Sequence, residues 1–421
     1  MRVAVSRSVT LSKRPALWMV AVQGVDIASQ TVAGIAIARL LGRAALGDFT
    51  YGFSFAAIVS VVLLFGSGDV AISLYAEGRH DPAKVMTTSL RLWTRGAALC
   101  ATLTLLWQWG TTLDLSARWV LSLAVTALIL NGLASVLNQA IVAWGASHLD
   151  LLVMLTSRAI LLLLIGDAGL RGDLRGAVAS YVVAAVVLCV GRALIVHFRL
   201  FRLRLARDRS LEEVVWSRGR HVGIGSVFGS LSARADMLML HAWSGAEQTG
   251  VYGASYRIIN GLDAASSAIA AGTYPNIVRM VTTGDRRGAR RFSVRVATLL
   301  SVSIAVLIPV SGLLIRTVYG SKFAEAGALF AVLLAAAALQ VSLVFVHKWC
   351  IATARESMLP RGQFIAATVN LLSNAALIPR FGAMGAAWAT LFAELSLAAF
   401  YFFALNLRSQ EPTHGRVVHE T

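Results

Sequence analysis

Stretches of roughly 20 apolar residues recur twelve times along this chain, and each is long enough to cross the hydrocarbon core of a bilayer as a helix. They lie at about 17–40, 50–74, 87–109, 119–144, 150–169, 176–198, 221–243, 250–274, 293–316, 326–350, 362–379 and 385–407. Composition agrees. The 421 residues are 57% hydrophobic and only 14% charged, whereas soluble domains carry about 25% charged residues. A chain this poor in polar surface belongs in a bilayer. The fold class expected is an all-α membrane protein of about twelve transmembrane helices. The breaks between spans fall at Gly, Pro or charge: Gly42/Gly47, Glu77–Asp81, Gly145, Gly166–Gly172, Pro275, Pro379 and Gly382.

The first apolar segment, from about Leu17 to Leu41, follows the basic residues Arg2, Arg7, Lys13 and Arg14. It is too long for a signal-peptide core of about 7–15 residues and ends in no clear cleavage site, so it reads as a retained helix. Cys100, Cys189 and Cys350 are isolated in apolar runs, without metal spacing, and read as small buried hydrophobes. Six tryptophans (Trp18, Trp93, Trp107, Trp109, Trp119 and Trp349) fall mostly near span ends, where an interfacial aromatic belt would place them.

Lys and Arg placement sets the orientation. With the N-terminus cytoplasmic, the segments on that side hold 24 Lys/Arg against 8 on the other. Both termini are therefore expected inside. The net charge of +17 is then largely a membrane-topology signal, and no nucleic-acid partner is expected. Seven of the cytoplasmic arginines crowd into residues 199–220: Arg199, Arg202, Arg204, Arg207, Arg209, Arg218 and Arg220. Phe198, Leu200, Phe201 and Leu203 are interleaved there, a pattern suited to lying on anionic headgroups. The domains expected are an N-terminal six-helix bundle (1–198), a basic cytoplasmic linker (199–220), and a C-terminal six-helix bundle with a short cytoplasmic tail (221–421).

An internal repeat supports two equivalent halves. Gly42, Gly47 and Phe49 recur as Gly245, Gly250 and Tyr252: glycine, glycine five residues on, and an aromatic two residues further. The offset corresponds to six helices. An even number gives both halves the same orientation.

Several spans carry polar side chains at helical spacing. Gln23, Asp26 and Gln30 share one face of the first span, and Asn131, Ser135 and Asn138 one face of the fourth. The eighth offers Tyr256, Asn260, Asp263 and Ser267, and the eleventh Asn370 and Asn374. Arg158, Arg234 and Arg257 sit at membrane depth; Arg192 and Lys348 lie nearer the cytoplasmic ends, where snorkelling is the expected role. Unpaired polar groups at such depth cost several kcal/mol, so they face a cavity or a partner. For the arginines the structural alternative is pairing, Arg234 with Asp236 or Arg257 with Asp263. Asp26, Glu394 and Asp263 are candidates for ion coupling, because an intramembrane carboxylate can titrate or bind Na⁺; hydrogen bonding to a neighbouring helix is the alternative. No cofactor is expected beyond coupling to Na⁺ or H⁺.

The run from Ala38 to Tyr51 (ARLLGRAALGDFTY) resembles the first-loop signature of polysaccharide-export flippases of the Wzx type. These share a superfamily with multidrug and toxin extruders and lipid II flippases. Further stretches agree in order along nearly the whole chain: Arg234-Ala-Asp236, Gly250-Val-Tyr252, Tyr256-Arg257, Tyr274-Pro275, Val318–Phe323 and Leu377–Ala387. The resemblance implies transport of an undecaprenyl-pyrophosphate-linked oligosaccharide repeat unit across the bacterial inner membrane for O-antigen, capsule or exopolysaccharide synthesis. It implies two six-helix bundles in a V with alternating access, and a polysaccharide polymerase and chain-length regulator as partners. Twelve spans leave no room for the extra helix pair of typical lipid II flippases. On this reading Arg158, Arg234 and Arg257 form a cationic site for the pyrophosphate, arginine being suited to paired phosphate contacts. Asn131, Asn138, Asn260, Asn370 and Asn374 would meet sugar hydroxyls.

Two other functions are weighed. A cation-coupled drug antiporter of the same superfamily fits the spans, but cationic drugs prefer acidic sites. A membrane enzyme of glycan assembly would carry a large periplasmic loop, which the chain lacks. No G-x-S-x-G, Walker or H-E-x-x-H motif is present, so no catalytic activity is expected.

Overall fold

A computed structural model describes residues 13–408, apart from 203, 205, 207, 354, 356 and 357. Arg2, Arg7, Leu203, Arg207 and the C-terminal tail lie outside the described residues. Every described element is helical: α1 (Lys13–Leu41), α2 (Arg43–Ser60), α3 (Ser67–Glu77), α4 (Pro82–Gly110), α5 (Leu115–Ala143), α6 (Ser147–Leu170), α7 (Leu174–Ile195), α8 (Arg209–Thr282), α9 (Arg286–Ala305), α10 (Ser311–Tyr319), α11 (Ala326–Ala352) and α12 (Leu359–Arg408), with short 3₁₀ or π turns between some of them. Ten of the twelve expected apolar stretches each lie along one helix, to within a turn at the ends of the stretch, whereas 50–74 and 293–316 are broken, the latter at Val306–Val310 between α9 and α10. By length and apolar composition alone, seven helices qualify as spans, with α12 counted once across its kink.

Local chemistry sets the ends. Asp81 accepts a hydrogen bond from the Ala83 N–H (3.0 Å) with Pro82 in the first turn, and Asp114 accepts from Ala117 N–H (3.0 Å), each satisfying an amide that the helix leaves bare. The expected single span 50–74 is instead broken after Leu63. Phe65 takes a positive φ of 38° and Gly66 one of 75°, and Gly66 packs so closely on the backbone of Gly219 that a Cβ would clash. Pro275 does not end a helix either, since α8 runs on to Thr282. In α12 the break is Gly382 (φ 54°) rather than Pro379, which stays inside the helix. Helix-interior proline is tolerated in membrane bundles because neighbours re-satisfy the freed carbonyl.

The chain divides into two compact units, one holding the described residues up to Arg257 with Val318–Lys322, the other Ile258–Thr317 with the residues from Phe323 onward. In the first, α5 packs on α2 and α7, and α6 on α1 and α7; in the second, α11 packs on α9 and α12. Arg39 donates from Nε to the Val318 carbonyl (2.7 Å), tying that short segment to the first unit.

The basic stretch does not lie free on a surface. Residues from Arg209 onward are already α8. Leu211 and Val215 are buried with Ala71, Leu74 and Val136, while Leu200 and Phe201 pack against the same cluster. Phe201 also meets the Trp144 ring at 5.5 Å. Among the described residues of that pattern, only Phe198, 73% exposed, fits the headgroup-lying expectation. The apolar residues interleaved with the arginines find a protein core before they find lipid.

The internal repeat reappears as matched geometry within the first unit. Gly42 and Gly245, which open the two copies, share one left-handed conformation (φ 91°, ψ −173° and φ 79°, ψ −179°) that glycine alone adopts cheaply. Five residues on, Gly47 lies against the Ala246 carbonyl and Gly250 against the Arg43 carbonyl, with no room for a Cβ at either. Ala246 and Arg43 are themselves equivalent positions, so the contact is reciprocal. The aromatics that follow, Phe49 and Tyr252, are both buried.

Candidate functional site

A cavity of about 450 Å³ lies inside the first unit, walled by α1, α5, α6 and α7. The two stripes read from the sequence meet there: Gln23, Asp26 and Gln30 from α1 face Asn131, Ser135 and Asn138 from α5. Arg158 enters from α6. Its side chain is buried and its Nη2 lies 2.6 Å from Asp26 Oδ1. Asp26 also accepts from Gln30 Nε2 (3.0 Å). Asn131 donates to its own helix at Ala127 O (2.9 Å). Arg158 Nε and Asn138 Oδ1 are buried polar atoms with no hydrogen-bond partner. Such atoms are costly when left unmade, and here both belong to cavity-lining residues.

At another wall of this cavity Arg192 is 5% exposed and Asp150 2%, joined by two hydrogen bonds, Nε–Oδ1 at 2.7 Å and Nη2–Oδ2 at 2.9 Å. Arg192 Nη1 also donates to Ala134 O (3.1 Å). The snorkelling expectation for Arg192 is therefore wrong; it turns inward because a carboxylate awaits it. Neither Asp150 nor Tyr181 stands out in the sequence. Asp150 lies in the first turn of α6, a usual place for an acid facing bare amides, and its partner is 42 residues away. Tyr181, from α7, lines the cavity and feels the charges of Arg257, Arg158 and Asp26.

Arg257 belongs to the same unit but does not line the cavity. Its Nη1 donates to Gln30 O (3.3 Å) and its guanidinium sits 4.8 Å from the Phe49 ring centroid, a cation–π distance. Gly34 makes this approach possible, since a Cβ there would collide with the guanidinium. Arg234 is half-buried and outside the cavity lining. Asp236, the alternative partner for Arg234, feels that arginine's charge and also accepts from the Tyr252 hydroxyl (2.6 Å) and the Met237 N–H (2.8 Å).

The second unit holds the remaining candidates. Asn374 is fully buried and donates to Asn370 Oδ1 (2.9 Å), leaving its own Oδ1 without a partner. Glu394 keeps a buried Oε2 without a partner and feels the charge of Asp263. Asn260 is exposed. Lys348 lies over the Tyr274 ring (5.3 Å). Among the described residues no cluster of His, Cys, Asp and Glu could hold a metal. The three cysteines are buried and unpaired, as expected.

A family described as polysaccharide biosynthesis protein matches residues 12–281. No curated protein sequence matches the chain. Among solved structures, an inward-facing multidrug resistance MATE family transporter of the MOP superfamily aligns over 92% of this chain and 96% of its own, with TM-score 0.73 and 12% identity. The lipid II flippase MurJ, in an inward closed conformation, aligns over 93% and 87%, with TM-score 0.75 and 11% identity. A MOP superfamily transporter from Pyrococcus furiosus, described by the reversed polarity of its binding pocket, covers 94% and 95% at TM-score 0.62 and 14% identity. At these identities the likeness concerns the fold, which is the all-helical transporter fold expected.

Proposed function

Because the chain belongs to the polysaccharide biosynthesis protein family, we propose that this multi-pass membrane protein flips an undecaprenyl-pyrophosphate-linked oligosaccharide across the bacterial inner membrane, by alternating access and with both termini cytoplasmic. The two six-helix halves, 1–198 and 221–421, are its working parts. A polysaccharide polymerase and a chain-length regulator take the product.

The observation that carries the reading is Arg158. Its guanidinium lines a polar cavity, is held by one carboxylate, and keeps Nε without a partner. A diphosphate offers the paired acceptors that a planar guanidinium binds best, while Asn131 and Asn138 supply neutral polar contacts suited to hydroxyls. Arg257, outside the cavity lining but bonded to the Gln30 carbonyl, is a second cation of the first unit; Asn260, Asn370 and Asn374 are candidate amides of the second. Arg234 acts outside this cavity.

Asp26 gives a route to coupling. A carboxylate that binds a proton or Na⁺ loosens its hold on Arg158 and frees the guanidinium for phosphate; loss of that ion restores the pair and weakens substrate binding. Glu394 and Asp263 are the corresponding carboxylates of the second unit. A cation-coupled drug antiporter of the same fold is the second reading, because Asp26 and Asp150 line the cavity beside Arg158 and Arg192 and balance their charge.

The test is genetic and chemical. Deleting the gene should abolish surface polysaccharide and leave lipid-linked repeat units facing the cytoplasm. Arg158→Ala at normal membrane abundance should lower export at least tenfold, the size expected for a lost charged hydrogen bond of about 1.5–3 kcal/mol, and Arg158→Lys should restore part of it. Normal export in a strain with no second flippase would remove the assignment.

A further inference from the structure

A second cavity, of about 440 Å³, lies wholly within the second unit between α9 and α11. Its deep end is fixed where the two helices are stitched together: Ser301 Oγ lies 2.6 Å from Ala338 O and 2.8 Å from Ser342 Oγ. From there Val294 and Ala297 of α9 and Phe345 and Val346 of α11 make the apolar part of the walls, with the hydroxyls of Ser293, Thr298 and Ser342 beside them. At the mouth stand Trp349 and two arginines, Arg290 of α9 and Arg355, just past the end of α11. No Asp or Glu lines it, and neither arginine forms an ion pair among the described residues.

This is the order of chemistry in a phospholipid read from head to tail. Positive charge without a counter-ion among the described residues sits at the rim, an amphipathic indole lies beside it, and a largely apolar slot leads inward. The slot spans about 12 Å along α9 from Arg290 to Thr298 at about 1.5 Å per residue and ends near the serine stitch, with Thr298 exposed at that end. A slot of that length suits part of one acyl chain of a resident lipid better than a long chain in transit. The cavity beside α4 and the start of α8 makes the contrast clear: it too is largely apolar and has arginines, Arg95 and Arg209, but Glu212 and Glu213 line it with them, and Glu212 already pairs with Arg95 at 3.3 Å.

We propose that the α9–α11 slot binds one anionic glycerophospholipid of the surrounding bilayer, its phosphate held by Arg290 and Arg355 and one acyl chain lying against Val294, Ala297, Phe345 and Val346. Basic pockets between membrane helices take lipid headgroups in this way. The site is separate from the polar cavity of the first unit and does not depend on which substrate the protein moves.

The test uses the full-length protein in phosphatidylcholine nanodiscs, titrated with phosphatidylglycerol and read as retained lipid by native mass spectrometry. Arg290→Ala with Arg355→Ala should weaken phosphatidylglycerol binding about thirtyfold, from about 1 kcal/mol per basic side chain near the headgroups. Thr298→Trp fills the slot from its exposed lip, leaves both charges in place, and should displace the lipid as well. Arg286→Ala with Arg287→Ala, at the same end of α9 but outside the slot, should change binding less than threefold. Equal losses in the site and control variants would reduce the effect to general surface attraction and overturn the proposal. So would wild-type retention in Thr298→Trp, or displacement of phosphatidylglycerol by equimolar undecaprenyl phosphate. Because the readout is lipid occupancy and not export, failure here leaves the transport assignment untouched.

Discussion

Arginine is used in two ways in the first unit, and the two uses differ by where the partner carboxylate stands. Inside the helical bundle Arg192 and Asp150 meet through two short hydrogen bonds with both side chains nearly inaccessible, and Arg158 meets Asp26 at 2.6 Å. At the basic stretch the pairs are looser and wetter: Lys84–Asp208 at 3.1 Å, Arg91 and Arg95 with Glu212 at 3.1 and 3.3 Å, Arg218–Glu77 at 3.6 Å and Arg204–Asp81 at 3.8 Å, with the basic partner exposed in each. The Arg192–Asp150 pair has met a large desolvation cost, so removing one partner strands a nearly inaccessible charge, whereas Asp26 keeps 30% of its side chain exposed. The outer pairs are screened and individually worth little. Density of charge in the sequence therefore marks the linker, while the energetically consequential charges are sparse and lie inside the bundle.

The largest effect should come from Arg192→Ala. Leaving Asp150 buried and unpaired should cost about 3–5 kcal/mol, seen as a lower thermal midpoint of the purified protein. Replacing both, Arg192→Met with Asp150→Leu, should recover most of the loss. A single variant as stable as wild type would show that Asp150 finds another partner or water, and the contrast with the linker would collapse.

How much of this was legible in the sequence follows the same line. Ten of the twelve apolar stretches, the polar stripes Gln23–Asp26–Gln30 and Asn131–Ser135–Asn138, and each copy of the Gly42/Gly245 repeat depend on residues close together in the chain, and the fold preserves them. The repeat is the most telling of these. Its glycines recur because the backbone needs φ near 91° at Gly42 and 79° at Gly245, and because Gly47 and Gly250 must each admit a carbonyl from the other copy. What could not be read is pairing at a distance. Asp150 with Arg192, Asp26 with Arg158, and Tyr252 with Asp236 are contacts between different helices, or between turns of one kinked helix, and no spacing announces them. The basic stretch shows the same limit: its described arginines are exposed, but the burial of Leu211 and Val215 among them is decided by Ala71, Leu74 and Val136 far upstream.

A smaller effect tests the outer half of the comparison. Glu212→Ala removes the shared partner of Arg91 and Arg95 and should cost about 1 kcal/mol or less at low salt. In 1 M salt, where the screening length is about 3 Å, the difference from wild type should vanish, while the Arg192→Ala deficit should persist. A Glu212 deficit that survives high salt would place this pair with the buried ones.

The smallest effect belongs to Asp208, at the outermost point of the linker. Hydrogen bonds from Ser210 Oγ (2.6 Å), from Lys84 Nζ (3.1 Å) and from the Leu211 N–H (3.3 Å) hold its carboxyl down, from 3.8 to about 2. The sign follows from linkage. The folded state prefers the ionised carboxylate more than the unfolded chain does, so the contribution is fully present above about pH 4 and is lost as pH falls toward 2. Asp208→Asn should therefore lower the thermal midpoint slightly at pH 5 and above, with the gap to wild type closing between pH 4 and pH 2. A gap that stays constant through that window would mean Asp208 acts by shape rather than charge.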